Sequence, residues 1–251
     1  MSVPETDCDW ALLFQRTHYE FDSSGRIAGE AGTGREKTPC FHLVRTRHGN
    51  IWRLHGDLSA SSSRALSRLA AREAALDPVV FPTWPPPERM ESMLAVLRSE
   101  GEDLSCRRGP LYRFPVEAMA ASQKESGGFL LDSMFPRHSG NTAALGPTFS
   151  PLLEAANPNW PMVVARVDHE VVSVCFGAPS AYEVGVEARV QTLSGHRRRG
   201  LGRACLVAWG RVVAQAGAIP LAQTEWENRG ACAFAQNLGL EIYGDSVCVE
   251  F

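Results

Sequence analysis

The chain has 251 residues, of which 44% are apolar and 21% charged, a balance typical of a folded globular protein and not of a disordered one. The formal charge of −3 and a pI near 6.2 supply no basic field for a nucleic-acid backbone or an anionic membrane surface. No apolar run approaches the roughly 18 residues of a membrane-spanning helix, and the seven cysteines include no CxxC pair. We therefore expect a reduced, cytoplasmic protein without a metal site, a membrane partner or a nucleic-acid partner.

Residues 1–110 are predicted to form a small α/β region without a chemical signature. Its helices are indicated by apolar residues that recur at i, i+3 and i+4, and its strands by short β-branched or aromatic runs beside turn residues. The predicted elements, in chain order, are an extended start to about residue 36, strands at 41–45 and 51–54, helices at 59–76 and 88–100, and a strand at 111–114.

Residues 111–251 are predicted to form a second domain. Its glycine- and proline-rich stretch at 126–161 is expected to be largely irregular, with a short helix near residues 151–157. The elements then follow in the order strand 162–167, strand 171–176, strand 184–192, helix 202–215, strand 219–224, helix 228–238 and strand 241–251. This order predicts a mixed sheet covered by helices, an α/β architecture.

The most informative segment joins the strand that ends near Leu193 to the helix that begins near Gly202. Between them, Arg197–Gly202 reads Arg-Arg-Arg-Gly-Leu-Gly. The first N–H groups of a helix lack intrahelical partners and attract phosphate, and glycine lets a phosphate approach the backbone closely. Arginines beside them add charge-assisted hydrogen bonds. The segment therefore predicts a phosphate-binding turn.

Each part of this segment also has an interpretation without ligand binding. The chain has 23 arginines against 2 lysines, so an arginine run can arise by chance as a solvated patch, and a lone Gly-x-Gly is a weak signal. The segment is not a Walker loop, since no Gly-Lys-Ser/Thr follows, nor a dinucleotide fingerprint, since the third glycine is absent. The combination at a strand-to-helix junction favours phosphate binding over chance.

Arg197–Gly202 resembles the Arg/Gln-x-x-Gly-x-Gly/Ala loop that binds acyl-CoA in the GNAT superfamily of N-acetyltransferases. The segment Thr224–Asn228, followed by a helix that ends in Asn237–Leu240, is similar to that superfamily's Asn-initiated second helix. The resemblance covers about residues 162–251 and extends back towards Leu111. It implies a mixed sheet whose strands 184–192 and 219–224 splay apart to admit acetyl-CoA.

The resemblance also implies the site residues. Acetyl-CoA would lie in the wedge, with its pantetheine paired to the strand and its pyrophosphate on the N–H groups from Arg198 to Arg203. The implied cofactor-binding residues are Gln191, Thr192, Leu193, Arg197, Arg198, Arg199, Gly200, Leu201, Gly202, Arg203 and Asn228. Residues 1–110 would cover the acceptor site or form a degenerate second copy of the same fold.

Transfer to an amine needs a base, because a primary ammonium must lose a proton before it attacks the thioester. The candidate catalytic residues are Glu187 and Glu183 on the strand that would deliver the acyl group, and Glu187 is favoured because it lies closer to the expected thioester. Two positions depart from the family pattern. Gln191 stands where relatives often have a glutamate. Ala235 stands where many have a tyrosine that acts as the general acid and protonates the thiolate, and Tyr243 is a distant substitute for that tyrosine.

The leading interpretation is an acetyl-CoA-dependent N-acyltransferase that acts on a small-molecule amine by direct attack. The alternative is a non-catalytic module of the same fold that binds or senses acyl-CoA, which the two departures motivate. A third interpretation, a structural or partner-binding protein, rests on the uninformative N-terminal region. Several minor residues also have two interpretations: Asn228 as helix cap or CoA contact, Trp226 as pocket lining or strand anchor, and Cys205 and Cys232 as packing residues.

Overall fold

Helices and strands alternate along the chain in a computed structural model that describes residues 3–31, 38–76, 84–101, 103–115, 129–134, 136, 141–182 and 184–251. Helices span α1 Asp7–His18, α2 Ala60–Arg72, α3 Met90–Arg98, α4 Asn141–Phe149, α5 Leu152–Ala155, α6 Leu201–Gln215 and α7 Arg229–Asn237. Strands span β1 Tyr19–Phe21, β2 Ile27–Glu30, β3 Pro39–Thr46, β4 Gly49–Leu54, β5 Ser105–Arg113, β6 Leu130–Met134, β7 Met162–Val167, β8 Glu170–Gly177, β9 Gly185–Thr192, β10 Ile219–Gln223 and β11 Glu241–Glu250. The mixed α/β class is confirmed.

Two compact units divide the described chain. The N-terminal unit holds the chain up to Tyr112 together with Gln223–Ala233 and Ile242–Phe251, and the C-terminal unit holds Arg113–Ala222 with Phe234–Glu241. The predicted division into domains 1–110 and 111–251 concerns independent folding and stays a prediction. Within the described residues, every helix is too short or too polar to cross a lipid bilayer.

In the N-terminal unit the strands lie in the order β4-β3-β11-β5, and β3 runs antiparallel to both of its neighbours. Every residue of β3 is buried, so both of its faces are covered. Phe41 and Leu43 pack against α2 and α3, and His42 points to the opposite face, where it meets Gln15 of α1. Successive strand residues alternate between faces, and this alternation places His42 on the face opposite Phe41 and Leu43.

The prediction of an extended start up to residue 36 is wrong, because α1, β1 and β2 lie there. Helix α1 begins in a capping box: the Thr6 hydroxyl accepts from the Asp9 N–H, and the Asp9 carboxylate accepts from the Thr6 N–H. Trp10 and Phe14 are buried on its inner face. Gly25 belongs to the β1–β2 turn and Gly29 to β2, so neither reflects the segment before them.

In the C-terminal unit the strands lie in the order β10-β9-β8-β7-β6, with β10 parallel to β9 and the other pairs antiparallel. Strands β7 and β8 form a hairpin, and both Asp168 (φ 48°) and His169 (φ 69°) adopt left-handed backbone in its turn. Two positive φ values are typical of the two-residue turns that match strand twist.

The short helix predicted near residues 151–157 is confirmed as α5, but the region expected to be otherwise irregular also contains β6 and α4. Strand β6 pairs along its whole length with β7, and Gly146 (φ 69°) kinks α4 before Pro147. The helices predicted at 59–76, 88–100, 202–215 and 228–238 are confirmed within a few residues at each end, as are the strands of the C-terminal order. Strand β5 begins six residues earlier than the prediction, because its first half is polar.

Candidate functional site

The predicted wedge between two parallel strands is present. Strand β10 pairs with β9 only from Ile219 to Leu221, against Gly185 to Glu187. Beyond Glu187, β9 continues to Thr192 and pairs with β8 on its other side, from Ala188 onwards. Within the described chain, the edge of β9 that faces β10 is therefore open past Glu187. An open strand edge presents backbone donors and acceptors that an extended ligand can use.

The turn after β9 gathers backbone N–H groups. A short 3-10 turn spans Ser194–His196, Arg198 (φ 60°) and Gly200 (φ 81°) adopt left-handed backbone, and α6 follows. Within the described residues, no N–H group from Arg198 to Arg203 donates a hydrogen bond, and the first helical bond runs from the Ala204 N–H to the Gly200 carbonyl at 2.9 Å. Consecutive unpaired amides at the positive end of a helix form an anion-binding site.

Three of the four arginines in this turn are held by the protein. Arg197 Nε donates to the Thr192 carbonyl at 3.2 Å, Arg199 Nη1 lies 3.0 Å from His196 Nδ1, and Arg203 Nη1 donates to the Asn237 carbonyl at 3.1 Å. The arginine side chains remain exposed, so their charge still raises the positive potential of the turn.

The two glycines of the motif have different roles. A Cβ at Gly200 would meet nothing within 4 Å, so this residue faces open space. A Cβ at Gly202 would lie 3.1 Å from Thr192 Oγ1 and 3.5 Å from Val190 Cγ1. Close backbone approach to a phosphate, expected for both glycines, therefore suits Gly200, whereas Gly202 allows the start of α6 to pack on β9.

The other predicted cofactor residues surround the wedge with different exposure. Gln191 is exposed, Thr192 and Leu193 are half-buried, and Leu201 is buried under the first turn of α6. The Leu193 N–H is already used by the Val172 carbonyl at 2.9 Å. Leu193 and Leu201 thus anchor the two ends of the turn, and the exposed backbone lies between them.

Asn228 acts as the cap of α7, since its Oδ1 accepts from the Ala231 N–H at 3.1 Å. Its contact with CoA stays a prediction. Trp226 anchors the chain in the N-terminal unit: its Nε1 donates to Asp245 Oδ1 at 2.7 Å and its N–H to the Arg108 carbonyl at 3.1 Å. The alternative of Trp226 as a strand anchor is therefore the one that its contacts support.

The favoured catalytic residue, Glu187, is buried, with 1% of its side chain exposed. Arg189 Nη2 lies 3.3 Å from Glu187 Oε1 and 3.4 Å from Oε2. The second candidate, Glu183, lies outside the described residues. Sequence reasoning missed Arg189, although an acid and a base at i and i+2 of a strand share one face and can pair.

The position of the expected general acid, its possible substitute and the two cysteines are all buried. Ala235 is buried on α7, and Tyr243 packs against Trp10 of the N-terminal unit with ring centroids 5.6 Å apart and ring planes tilted by 39°. Cys205 and Cys232 are buried, and burial raises the pKa of the Cys205 thiol to about 11 and raises that of Cys232. Both cysteines pack as expected. Among the described residues, no group of three or more His, Cys, Asp or Glu side chains is placed to hold a metal ion.

No protein-family model and no curated protein matches this sequence. Among solved structures, the chain is similar to a GCN5-related N-acetyltransferase-like protein from Streptococcus suis, at 16% identity and a TM-score of 0.51, over 99% of this chain and 94% of that one. An acetyltransferase of the GNAT family from Colwellia psychrerythraea aligns at 10% identity and a TM-score of 0.46, over 100% and 98%. A Drosophila protein aligns at 15% identity and a TM-score of 0.49, over 65% of this chain and 57% of its own length.

The comparison with the Streptococcus protein concerns the fold. At a TM-score of 0.51 over nearly the whole of both chains, the two share an architecture, although few residues are identical. The chain therefore has the fold of the GNAT N-acetyltransferases, and the resemblance read from Arg197–Gly202 is confirmed at the level of fold. The cofactor-binding and catalytic roles of the individual residues stay predictions.

Proposed function

We propose that the protein is an acyl-CoA-dependent N-acyltransferase that moves an acetyl group from acetyl-CoA to a small-molecule amine by direct attack. One observation carries the proposal: the six unpaired amides from Arg198 to Arg203 stand directly after a strand, β9, whose edge opens past Glu187. A diphosphate suits the amides, and an extended chain carrying amide groups suits the open edge. Acyl-CoA joins both features in one molecule.

Each part of the site then has a defined task. The amides from Arg198 to Arg203 hold the diphosphate, and the backbone groups of β9 that face its open edge past Glu187 orient the pantetheine arm. The acyl-CoA supplies an activated carbonyl. Glu187 takes the proton that the ammonium loses, and the neutral amine then attacks the thioester carbonyl. The nitrogen loses its second proton as the amide forms and the C–S bond breaks, and that proton passes through water to the departing thiolate.

The second candidate function is binding of acyl-CoA without turnover. The observation that favours it is the burial of Glu187 against Arg189, because a base must be reached by the amine. Free thiol released from acetyl-CoA in the presence of an amine panel separates the two functions. Thiol release that disappears in Glu187→Gln supports catalysis, and tight CoA binding without thiol release supports the sensor.

The binding step is tested by a matched pair of glycine variants. Gly200 (φ 81°) and Gly217 (φ 85°) have nearly the same left-handed backbone, and a Cβ at either would meet nothing within 4 Å. Alanine at either position should therefore cost a similar ~1–2 kcal/mol of folding stability. Only Gly200→Ala places its methyl group where the diphosphate would lie and distorts the amides around it.

We expect titration calorimetry with CoA to show at least tenfold weaker binding for Gly200→Ala and unchanged binding for Gly217→Ala, since hydrogen bonds to a charged group contribute about 1.5–3 kcal/mol each. Thermal unfolding measures the shared loss of stability. Equal CoA affinity in both variants, or no response of the unmodified protein to millimolar CoA, would contradict the proposal.

A further inference from the structure

The ion pair on β9 has one buried and one exposed member. Glu187 and Arg189 stand two residues apart on the same face of the strand, and the guanidinium contacts both carboxylate oxygens at 3.3 and 3.4 Å. The Glu187 side chain is 1% exposed, whereas 54% of the Arg189 side chain is exposed. A ligand that approaches this face from solvent therefore meets the cation before it meets the carboxylate.

The residue of β8 that lies opposite Arg189 is apolar. Arg189 lies opposite Phe176 of β8 in the strand register, and directly opposed residues share a face. Phe176 belongs to the core cluster that contains Phe149 of α4 and Val174. Burial makes the Glu187 charge costly to leave without a cation, whereas the exposed guanidinium of Arg189 stays in contact with water.

This arrangement selects among amines by what accompanies the amino group. An ammonium that takes the place of the guanidinium at Glu187 leaves Arg189 without its carboxylate and adds a second positive charge beside it. A ligand that carries its own carboxylate next to the amine removes both costs, because that carboxylate forms a charge-assisted, bidentate pair with Arg189. Since residues i and i+2 of a strand lie roughly 6.6 Å apart, the amine and the carboxylate must lie close together, as on a single carbon.

We propose that the acceptor is a zwitterion of the α-amino-acid type, whose carboxylate pairs with Arg189 while its amino group reaches Glu187. The inference rests on the proposed function, which it narrows from small amines in general to this class. In the free protein, Arg189 occupies the place of the substrate amine. Binding exchanges one internal ion pair for two intermolecular ones, and Arg189 is then a specificity-determining residue.

The test compares ligands that differ only in the carboxylate. Titration calorimetry on the CoA-saturated protein would use phenylalanine against phenethylamine, leucine against isoamylamine, and arginine against agmatine. In at least one pair the amino acid should bind tenfold or more tightly than its amine. Binding of no amino acid in the panel, or equal binding within every pair, overturns the inference.

Three variants identify the residue responsible. Arg189→Gln should bring the two members of the responsive pair within about twofold of each other, and Arg189→Lys should retain part of the preference. Arg166→Gln removes a cation from β7 of the same unit and should leave the preference unchanged. A preference that survives Arg189→Gln also overturns the inference, and circular dichroism checks that each variant is folded.

Failure of this inference and failure of the proposed function give different results. If amines lacking a carboxylate release thiol from acetyl-CoA as readily as amino acids do, the acyltransferase stands and the zwitterion inference falls. If CoA itself fails to bind, the acyltransferase falls. The ligand pairs measured without CoA still show whether Arg189 selects for a carboxylate.

Discussion

A single residue type performs two different tasks in the turn after β9. Gly200 supplies left-handed backbone and open space, whereas Gly202 removes a side chain that would press on Thr192 and Val190. Both are written as Gly in one six-residue motif, and only the position of the neighbouring strand distinguishes them. Gly217 has the same left-handed backbone and open space as Gly200 but lies outside this turn, so the two alanine variants separate backbone strain from ligand binding.

His42 is a fully buried, titratable side chain within β3. It is fully buried on the α1 side of β3, with Nδ1 3.0 Å from Gln15 Nε2 and Nε2 2.9 Å from Ser246 Oγ. Burial, with smaller contributions from His18 and nearby arginines, lowers the pKa of His42 to about 3. The imidazole is therefore neutral at physiological pH.

This buried histidine predicts a loss of stability in mild acid. Between about pH 6.5 and pH 3, His42 is protonated in the unfolded chain but not in the folded one. The unfolded state therefore binds more protons in this range, and the free energy of unfolding decreases as the pH is lowered. The contribution of this one residue should approach about 1.4 kcal/mol per pH unit. Urea unfolding at pH 7, 6 and 5 would measure it. His42→Gln should show a correspondingly flatter dependence, and parallel dependences would refute the assignment.

At the scale of elements, α7 depends on the residue that caps its N-terminus. The Asn228 side chain caps the helix through the Ala231 N–H, and α7 has only nine residues over which to recover the cost of an unsatisfied end. Asn228→Ala should lower the free energy of unfolding by about 1 kcal/mol, whereas Asn228→Ser retains a capping oxygen and should stay close to the unmodified protein. Denaturant unfolding of the two variants decides the matter: equal losses would exclude the capping role.

Elements differ in how well local sequence predicts them. Helix α6 has its buried residues at helical spacing, and its prediction is correct to within one residue at the start. Strand β6 was missed because its five residues are mostly exposed and are ordered by pairing with β7, a partner about thirty residues away. Helix α1 was missed although Thr6, Asp9 and the apolar residues after them carried the signal.

At the scale of a whole folding unit, a network of buried charges joins distant parts of the N-terminal unit. The Asp245 carboxylate of β11 accepts from Arg45 of β3 at 2.6 Å, from Arg108 of β5 at 3.0 Å and from Trp226 at 2.7 Å. Arg45 also lies 3.5 Å from Glu73, which accepts from the backbone after Pro87. The members are separated by up to 200 residues in the chain, so no pattern within a short stretch of sequence predicts their pairing.

Removal of the central charge should destabilise this unit strongly. Asp245→Asn keeps the shape of the side chain but leaves Arg45 and Arg108 without their shared anion, and breaking a buried pair in this way costs about 3–5 kcal/mol. Glu91→Gln disrupts the exposed pair with Arg98 on α3 and should change stability by less than ~0.5 kcal/mol. Guanidinium unfolding compares the two. Similar small losses would show that the network contributes little.

The sequence by itself determined the α/β class and the order of the elements from β7 to β11, because these depend on spacing and backbone conformation within a few residues. The tertiary structure decided where β9 and β10 separate, which glycine faces open space, and that Glu187 is covered by Arg189. These features depend on which strands become neighbours and on how deeply each face is buried. Packing between distant segments controls strand neighbours and burial alike, and neither composition nor periodicity along the chain predicts that packing.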